Sequence, residues 1–544
     1  MHSLNFATLV RALSQATNRS LAGSRMFCHP DALSALPANF SSLAAVWGIR
    51  VVTDPDAASS CSIHLHAQYA EVEGERIDYA ERRQLGELTA AEQIDRAYAG
   101  MPVTQQIADE LLAEHTLEGE RVAVSLIIEP KTAVLLLELQ RAGAQVGVYA
   151  TAAEVHQAVA DELERRGVKV YANAAWTPDD EHAGALRLLD ELQPTVIIDD
   201  GASFARLASL ERRELLAQLK GVAEETTSGV RAFEAMEKAG ALTYPVIASN
   251  DSQLKTGFDN VHGTGESCVT TFLNVLGDSW IDDSAARGEK MAVIGYGPVG
   301  RGFAVRMRSL GAHVVIVERS ATAALKAQYD GFDVLPLAEA ARACSCLISA
   351  TGVVHTLDLV TLQSLNDGTV LGVIGGIANE IALDELTALT GQHIAPAVPL
   401  TQLQLDTSLD AGSDTASEGS RHAQLIASGD GMNYTVSGGN PIEIMDMSFA
   451  VQLNAVRMLV EGVDVSQGSD ASRGTSGSQL PHAVIRLDAA TDERIARSAL
   501  KARGAQIDEQ REMVTDWTRT RFSAPTTTPT THTTPEEASH GEHA

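Results

Sequence analysis

Between Arg121 and Ile198 the apolar residues fall into short unbroken runs, separated by segments whose apolar positions recur every three or four residues. Val122 to Ile128, Val146 to Tyr149, Val168 to Tyr171 and Thr195 to Ile198 are the runs. Thr132 to Ala142, Ala152 to Arg166 and His182 to Leu192 are the periodic segments between them. Short apolar runs suit buried strands and the periodic text suits amphipathic helices, so the order predicts a parallel sheet wrapped by helices. The alternation resumes at Met291 to Ile294 and runs through His313 to Val317, Leu347-Ile348 and Val370 to Ile374, as far as about Leu389. The expected fold class is α/β, with two doubly wound parallel-sheet domains.

The flanking text is less regular. Residues 1–95 mix a helix-like stretch (Leu4 to Ala16) with alternating pieces (Ile49 to Val52, Ile63 to His66), and helical text returns at Ala90 to Ala99. Past the second unit, Leu405 to Ser420 reads as a solvated loop and Asp446 to Glu461 as a helix. Gly462 to Ser478 reads as a Ser/Gly linker, Asp492 to Gly504 as a charged amphipathic helix, and Ser523 to Ala544 as a disordered tail.

Composition changes this picture in only a few ways. A chain of 544 residues, 44% of them hydrophobic, suits three or four domains with ample core. The formal charge of −30 makes nucleic acid and anionic membrane surfaces poor partners. No apolar run approaches the ~20 residues of a membrane span. Arg11 and Arg19 interrupt the N-terminal text where a secretory signal would need an unbroken apolar stretch. The 5 cysteines are too scattered for a disulfide scaffold, and the expected compartment is the cytoplasm.

Candidate chemistry concentrates at the strand ends. Met291-Ala-Val-Ile-Gly295-Tyr-Gly297-Pro298-Val299-Gly300-Arg-Gly302 is a strand feeding G-x-G-x-x-G into a helix. Gly295 permits the tight turn, Gly297 lets backbone approach a pyrophosphate, and Gly300 lets helix and strand pack closely, which is the Rossmann dinucleotide pattern. Glu318 ends the next strand, where a carboxylate accepts ribose hydroxyls and favours NAD over NADP, with Arg319 beside it leaving NADP open. Thr351, after Leu347-Ile348, and Gly375, after Val370 to Ile374, suit either a cofactor edge or ordinary turns. Asp199-Asp200-Gly201 suits acid/base work or a cap. Glu224-Glu225-Thr226-Thr227-Ser228-Gly229 suits a helix cap at least as well as a site. Asn250, Asp251, Ser252, Lys255, Asp259 and Asn260 form a dense polar cluster that either holds a hydroxyl or connects two domains. Cys28-His29 and Cys61 to His66 lie too far apart, without CxxC, to support a metal site, and no metal is expected.

Three of these stretches together resemble the S-adenosylhomocysteine hydrolase (adenosylhomocysteinase) family. Gly221-Val-Ala-Glu-Glu-Thr-Thr-Ser-Gly-Val230 is similar to the family's G-I/V-S-E-E-T-T-T-G-V, and Asn250-Asp-Ser-Gln-Leu-Lys-Thr-Gly-Phe-Asp-Asn260 to its N-D-S-x-x-K-x-x-F-D-N. Gly295 to Gly302 is similar to its G-Y-G-x-V-G-K-G, and the likeness extends from about Met101 to Val460. The resemblance implies an enzyme that keeps NAD bound, oxidises a ribose 3′-hydroxyl, eliminates a thioether, adds water and re-reduces the product. It implies a substrate domain over 96–262 and a return helix over 439–465, with an NAD domain over 263–438 inserted. Residues 1–95 stand as an extension of unknown role, 466–522 as linker and C-terminal helix, and 523–544 as tail. By the resemblance, Lys255 and Asp259 hold and deprotonate the 3′-hydroxyl, Glu225 and Asp200 orient the sugar, and Asn250 supports Lys255. Thr226, Thr227, Ser228, Asn260, Gly295, Gly297, Pro298, Val299, Gly300, Glu318, Thr351, Gly375 and Asn433 would contact NAD. The partner is a small nucleoside, and the family's assembly implies a homo-oligomer, dimer or tetramer.

The departures bear on the substrate. Where the family has pocket histidines, this chain has Ile127, Gly376 and Asn440, and its C-terminal text after about Gly504 is unrelated. Lys131 replaces an acid, which would favour an oxo or anionic group and so a base other than adenine. The alternative is a catalytically silent NAD-binding relative acting through protein contacts.

Overall fold

The computed structural model describes residues 4–82, 87–406, 421–462 and 480–508. The loop ending at Ser420, the linker ending at Ser478 and the tail from Ser523 lie mostly or wholly outside the described residues.

Three sheets organise those residues. The first comprises β1 (Arg25–Cys28), β2 (Arg50–Val52), β3 (Ile63–Leu65), β4 (Tyr69–Val72) and β5 (Glu75–Asp78) in the order β2-β1-β3-β4-β5. The second holds β6 (Arg121–Ser125), β7 (Gln145–Tyr149), β8 (Lys169–Val170), β9 (Val196–Asp199), β10 (Gly221–Glu224) and β11 (Val246–Ala248). The third holds β12 (Met291–Ile294), β13 (Val314–Val317), β14 (Asp333–Val334), β15 (Cys346–Ser349), β16 (Val370–Val373), β17 (Leu400–Gln404) and β18 (His422–Ile426). A late strand, β19 (Val484–Ile485), completes the second sheet as β19-β11-β10-β9-β6-β7-β8, with every pairing parallel. The third runs β14-β13-β12-β15-β16-β18-β17 and is parallel except for the β17/β18 edge pair. Strands such as β12 and β13 are buried at every position, as expected when helices cover both faces.

Some predicted elements come out differently, among them the helix expected from Asp446, which begins at Ile442. The helix expected over Ala152 to Arg166 is a short turn at Ala152–Glu154 followed by a helix over Gln157–Arg165. The backbone between them pairs with Ile128 instead, through Ile128 N–H to Glu154 O (2.9 Å) and His156 N–H to Ile128 O (2.9 Å). The helix expected from His182 begins at Pro178, because Thr177 and Asp180 form a reciprocal cap and proline suits the first turn.

The N-terminal residues build a unit that packs on the third sheet. Leu9, Leu13, Met26 and Trp47 share one core with Phe272, Phe303 and Met307. The Glu266 carboxylate accepts from the Leu21 and Ala22 amides at 2.8 and 3.2 Å, and buried Arg11 pairs with Asp278 at 2.5 Å. The helix Ile442–Glu461 is buried along most of its length in the core of the second sheet, beside the helix Ala489–Ala502. No helix among the described residues is long and apolar enough to cross a membrane.

Candidate active site

The two acid pairs sit side by side, since Asp199 on β9 is in register with Glu224 on β10. Successive residues at a strand end point to opposite sides, and this divides each pair. Asp199 turns inward and accepts from the Ala205 amide at 2.8 Å, opening the helix Ser203–Glu211. Glu224 is fully buried and accepts from the amides of Gly201 (3.0 Å), Ala202 (3.1 Å) and Thr226 (2.8 Å), tying the two loops together. Thr226 caps the helix Thr227–Lys238 through the Gly229 amide at 3.2 Å. Asp200 and Glu225 therefore face the opposite way, into a cavity of about 250 Å³. Burial, then the charges of Glu225 and Glu154, pushes the Asp200 carboxyl well above the usual carboxylate range. Burial pushes Glu225 up to about 7 despite Lys255 beside it.

Lys255 arrives from beyond β11, where Ser252 caps a short helical turn and Thr256–Thr264 continues in wide i→i+5 turns. Such widened turns are frequent at functional sites, and here one brings Asp259 and Asn260 round to Lys255. The Lys255 ammonium lies 2.8 Å from Asp259, 3.3 Å from Glu225 and 3.1 Å from the Asn260 carboxamide oxygen. Burial alone would lower its pKa, but the two carboxylates raise it, so the ammonium is firmly protonated. Asn250 reaches Lys255 one step removed: its carboxamide oxygen accepts from Asn260 (3.4 Å) and from the Thr227 hydroxyl (3.1 Å). Asp259 is further held by the Asn440 carboxamide, which donates to its other oxygen.

The third sheet faces this cluster with glycine turns. Gly295 is left-handed (φ 97), and a Cβ on Gly300 would stand 2.0 Å from the Gly295 carbonyl oxygen, so helix and strand can close only with glycine there. A Cβ on Gly297 would meet nothing within 4 Å, which leaves bare backbone at the start of the helix Pro298–Ser309 open to a ligand. Glu318 accepts from the Tyr296 amide at 2.7 Å, fixing the loop beside the place a ribose would occupy. An open helix N-terminus, a glycine cradle and a terminal carboxylate fit a dinucleotide. Glu380 organises the neighbouring turn, accepting from the Gly352 amide (2.8 Å) and the Thr351 amide (3.3 Å).

The cavity collects most of the residues singled out from sequence: Asp200, Glu225, Thr226, Thr227, Ser228, Lys255, Asp259, Asn260, Gly297, Pro298, Val299, Thr351, Gly375 and Asn433 line it. Gly295, Gly300, Glu318 and Asn250 do not line it. Glu154 also lines it, as does Tyr434, and sequence reasoning missed both. The only signal at Glu154 was its place three residues after Thr151, which marks a cap. Lys131 differs from expectation. Its buried ammonium is already surrounded by the Asn18 carboxamide oxygen (2.9 Å), the Gly438 carbonyl (2.5 Å) and Glu129 (2.5 Å), so it serves as a tie rather than a free donor to a base. Among the described residues no group of His, Cys, Asp and Glu could hold a metal ion.

Two parallel-sheet units, one with a dinucleotide turn and one with a buried Lys–Asp–Glu cluster, face one cavity, an arrangement that fits an NAD-using enzyme. Residues 84–213 match the family described as S-adenosyl-L-homocysteine hydrolase, and residues 274–408 match its NAD binding domain. The chain is 34% identical to the adenosylhomocysteinase of Thermotoga maritima over 77% of its own length and 96% of the relative's. It is 35% identical to that of Thermococcus kodakarensis over 77% and 92%. It is 31% identical to the S-inosyl-L-homocysteine hydrolase of Methanopyrus kandleri over 78% and 94%. The chain belongs to the S-adenosyl-L-homocysteine hydrolase family and is a hydrolase that uses NAD.

Proposed function

We propose that the substrate is a nucleoside thioether of the S-adenosyl- or S-inosyl-homocysteine kind, and that Lys255, Asp259, Glu225 and Asp200 handle its ribose. One observation carries this reading: a protonated Lys255 held between two carboxylates on the wall of a cavity whose opposite wall is the glycine edge. NAD, when bound, takes two electrons from the ribose carbinol and returns them at the end of the cycle. Lys255, as the ammonium, holds the 3′-hydroxyl oxygen while Asp259 takes its proton, and Glu225 and Asp200 bind the neighbouring hydroxyl. Glu225, titrating near 7, is suited to exchange a proton at neutral pH. In this reading residues 96–262 with 439–465 are the substrate domain and 263–438 the NAD domain.

The test uses purified full-length protein with its bound NAD, given adenosine, inosine and S-adenosylhomocysteine separately. Absorbance should grow in the NADH band with at least one of them, and Lys255→Ala should slow that growth by about 10³-fold. Bound NAD that none of the three reduces would overturn the reading.

A further inference from the structure

The N-terminal unit reaches the turn beside the site through Asn18, with Gln15 accepting from the Ser437 hydroxyl (2.9 Å) next to it. The helix Phe6–Thr17 ends at Asn18, whose left-handed backbone (φ 51) turns the chain back along the substrate side. The Asn18 carboxamide donates to the Gly439 carbonyl (3.3 Å) and accepts from Lys131 (2.9 Å), while its backbone carbonyl accepts from the Ile442 amide (2.9 Å). Lys131 in turn donates to the Gly438 carbonyl at 2.5 Å. Both carbonyls that precede Asn440 are thus held from outside the turn. Gly439 itself is left-handed (φ 69), and its amide closes on the Asn433 carbonyl at 2.9 Å.

What this turn presents is Asn440. Its amino group donates to Asp259 and to the Thr264 hydroxyl (3.1 Å), and its oxygen accepts from Asn433 (2.8 Å) and from Ser267 (3.1 Å). With donors and acceptor both committed, the amide has one orientation, because a flip would set its oxygen against the Asp259 carboxylate. An amide does not ionise in this range, so Asp259 keeps its donor at every working pH, which an imidazole in that position would not ensure.

We propose that the N-terminal unit is a working part of the catalytic apparatus. Through Asn18 and Lys131 it sets the Gly438–Asn440 turn, and Asn440 is the positioning residue that aims Asp259 at Lys255. This rests on the reading of Lys255 and Asp259 given above, although the tie from Asn18 to the turn does not.

Two variants of the full-length, NAD-loaded protein test it. Asn18→Gly keeps the left-handed backbone and removes the carboxamide. Asn18→Asp keeps an acceptor for Lys131 and loses the donor to Gly439, so it remains informative if the glycine variant folds poorly. Deuterium exchange of the backbone amides over 433–442 should quicken in both, with bound NAD retained. Nucleoside-driven NAD reduction should slow by about ten- to a hundredfold in kcat with KM little changed. Asn440→His should give the pH–rate profile an extra limb near the imidazole range, about pH 6.5, that the parent lacks. Unchanged exchange over 433–442, or an unchanged kcat, in a folded Asn18 variant overturns the proposal. If the parent protein reduces its NAD with no nucleoside, the substrate reading fails, and the exchange measurement alone still decides whether Asn18 holds the turn.

Discussion

At the carboxyl ends of β9 and β10 the second sheet carries Asp199-Asp200 and Glu224-Glu225, whereas on the third sheet β12 runs into Gly295 and β16 into Ile374-Gly375. Both edges end parallel strands, and both face the same cavity. One presents ionisable side chains whose behaviour depends on burial and on one another. The other presents backbone, made accessible because side chains are missing. A site that must move protons needs groups with tunable affinities, while a site that grips a dinucleotide needs close approach and amide donors. Damage to the first edge should therefore appear in rate and pH dependence, and damage to the second in cofactor retention.

The sharpest way to break this division is Asp259→Asn. It removes one charge beside Lys255 with little change of shape, so NAD reduction by nucleoside should fall by about 10³-fold while bound NAD stays constant. Loss of NAD from this variant would mean the two edges are not separable. A smaller effect is expected from Gly300→Ala, whose Cβ must displace the Gly295 carbonyl that lies 2.0 Å from its position. Overpacking of that kind costs about 1–3 kcal/mol, or roughly ten- to a hundredfold in NAD affinity, measured by titrating NAD into stripped protein. Unaltered NAD binding in this variant would contradict the cradle.

The smallest effect is in stability against pH. Burial raises Asp199, Glu225 and Glu266 from their unfolded carboxyl values to about 7 each. The folded state then binds more protons than the unfolded one between about pH 4 and 7. The stability these groups contribute is fully present below the unfolded values and is lost as pH rises through 7. The Tm should fall by a few degrees from pH 5 to pH 8. Glu225→Gln should flatten part of that slope, and Gly300→Ala should leave it unchanged. A flat parent profile over this interval would argue against carboxyls kept protonated by burial.

The sequence was legible where a structural need is local. The alternation of apolar runs and periodic segments located β7, β9, β12, β13, β15 and β16 to within a residue or two and overran the end of β6, while β10, β17 and β18 were not read as strands at all. Gly295, Gly297 and Gly300 were legible because each answers a steric demand of its own turn. The five-stranded N-terminal sheet was legible only at β2 and β3, whose alternating text stands out, and not as a sheet, since β1 pairs with partners well removed in sequence. β19 was missed for the same reason, being two residues supported by β11 rather than by any pattern of its own. Glu154 was hidden by its capping spacing, and the helix predicted across it was broken by a backbone pairing with Ile128.

By itself, then, the sequence determined two helix-wrapped parallel sheets, a dinucleotide turn and the residue types of a proton-handling cluster, because periodicity and glycine placement act over a few residues at a time. Only the tertiary structure decided which acid of each pair faces the cavity, that Lys131 is spent on protein oxygens, and that Asn18 reaches the turn carrying Asn440. The last two outcomes depend on side chains more than a hundred residues apart being packed to within about 3 Å, and no local pattern encodes that distance.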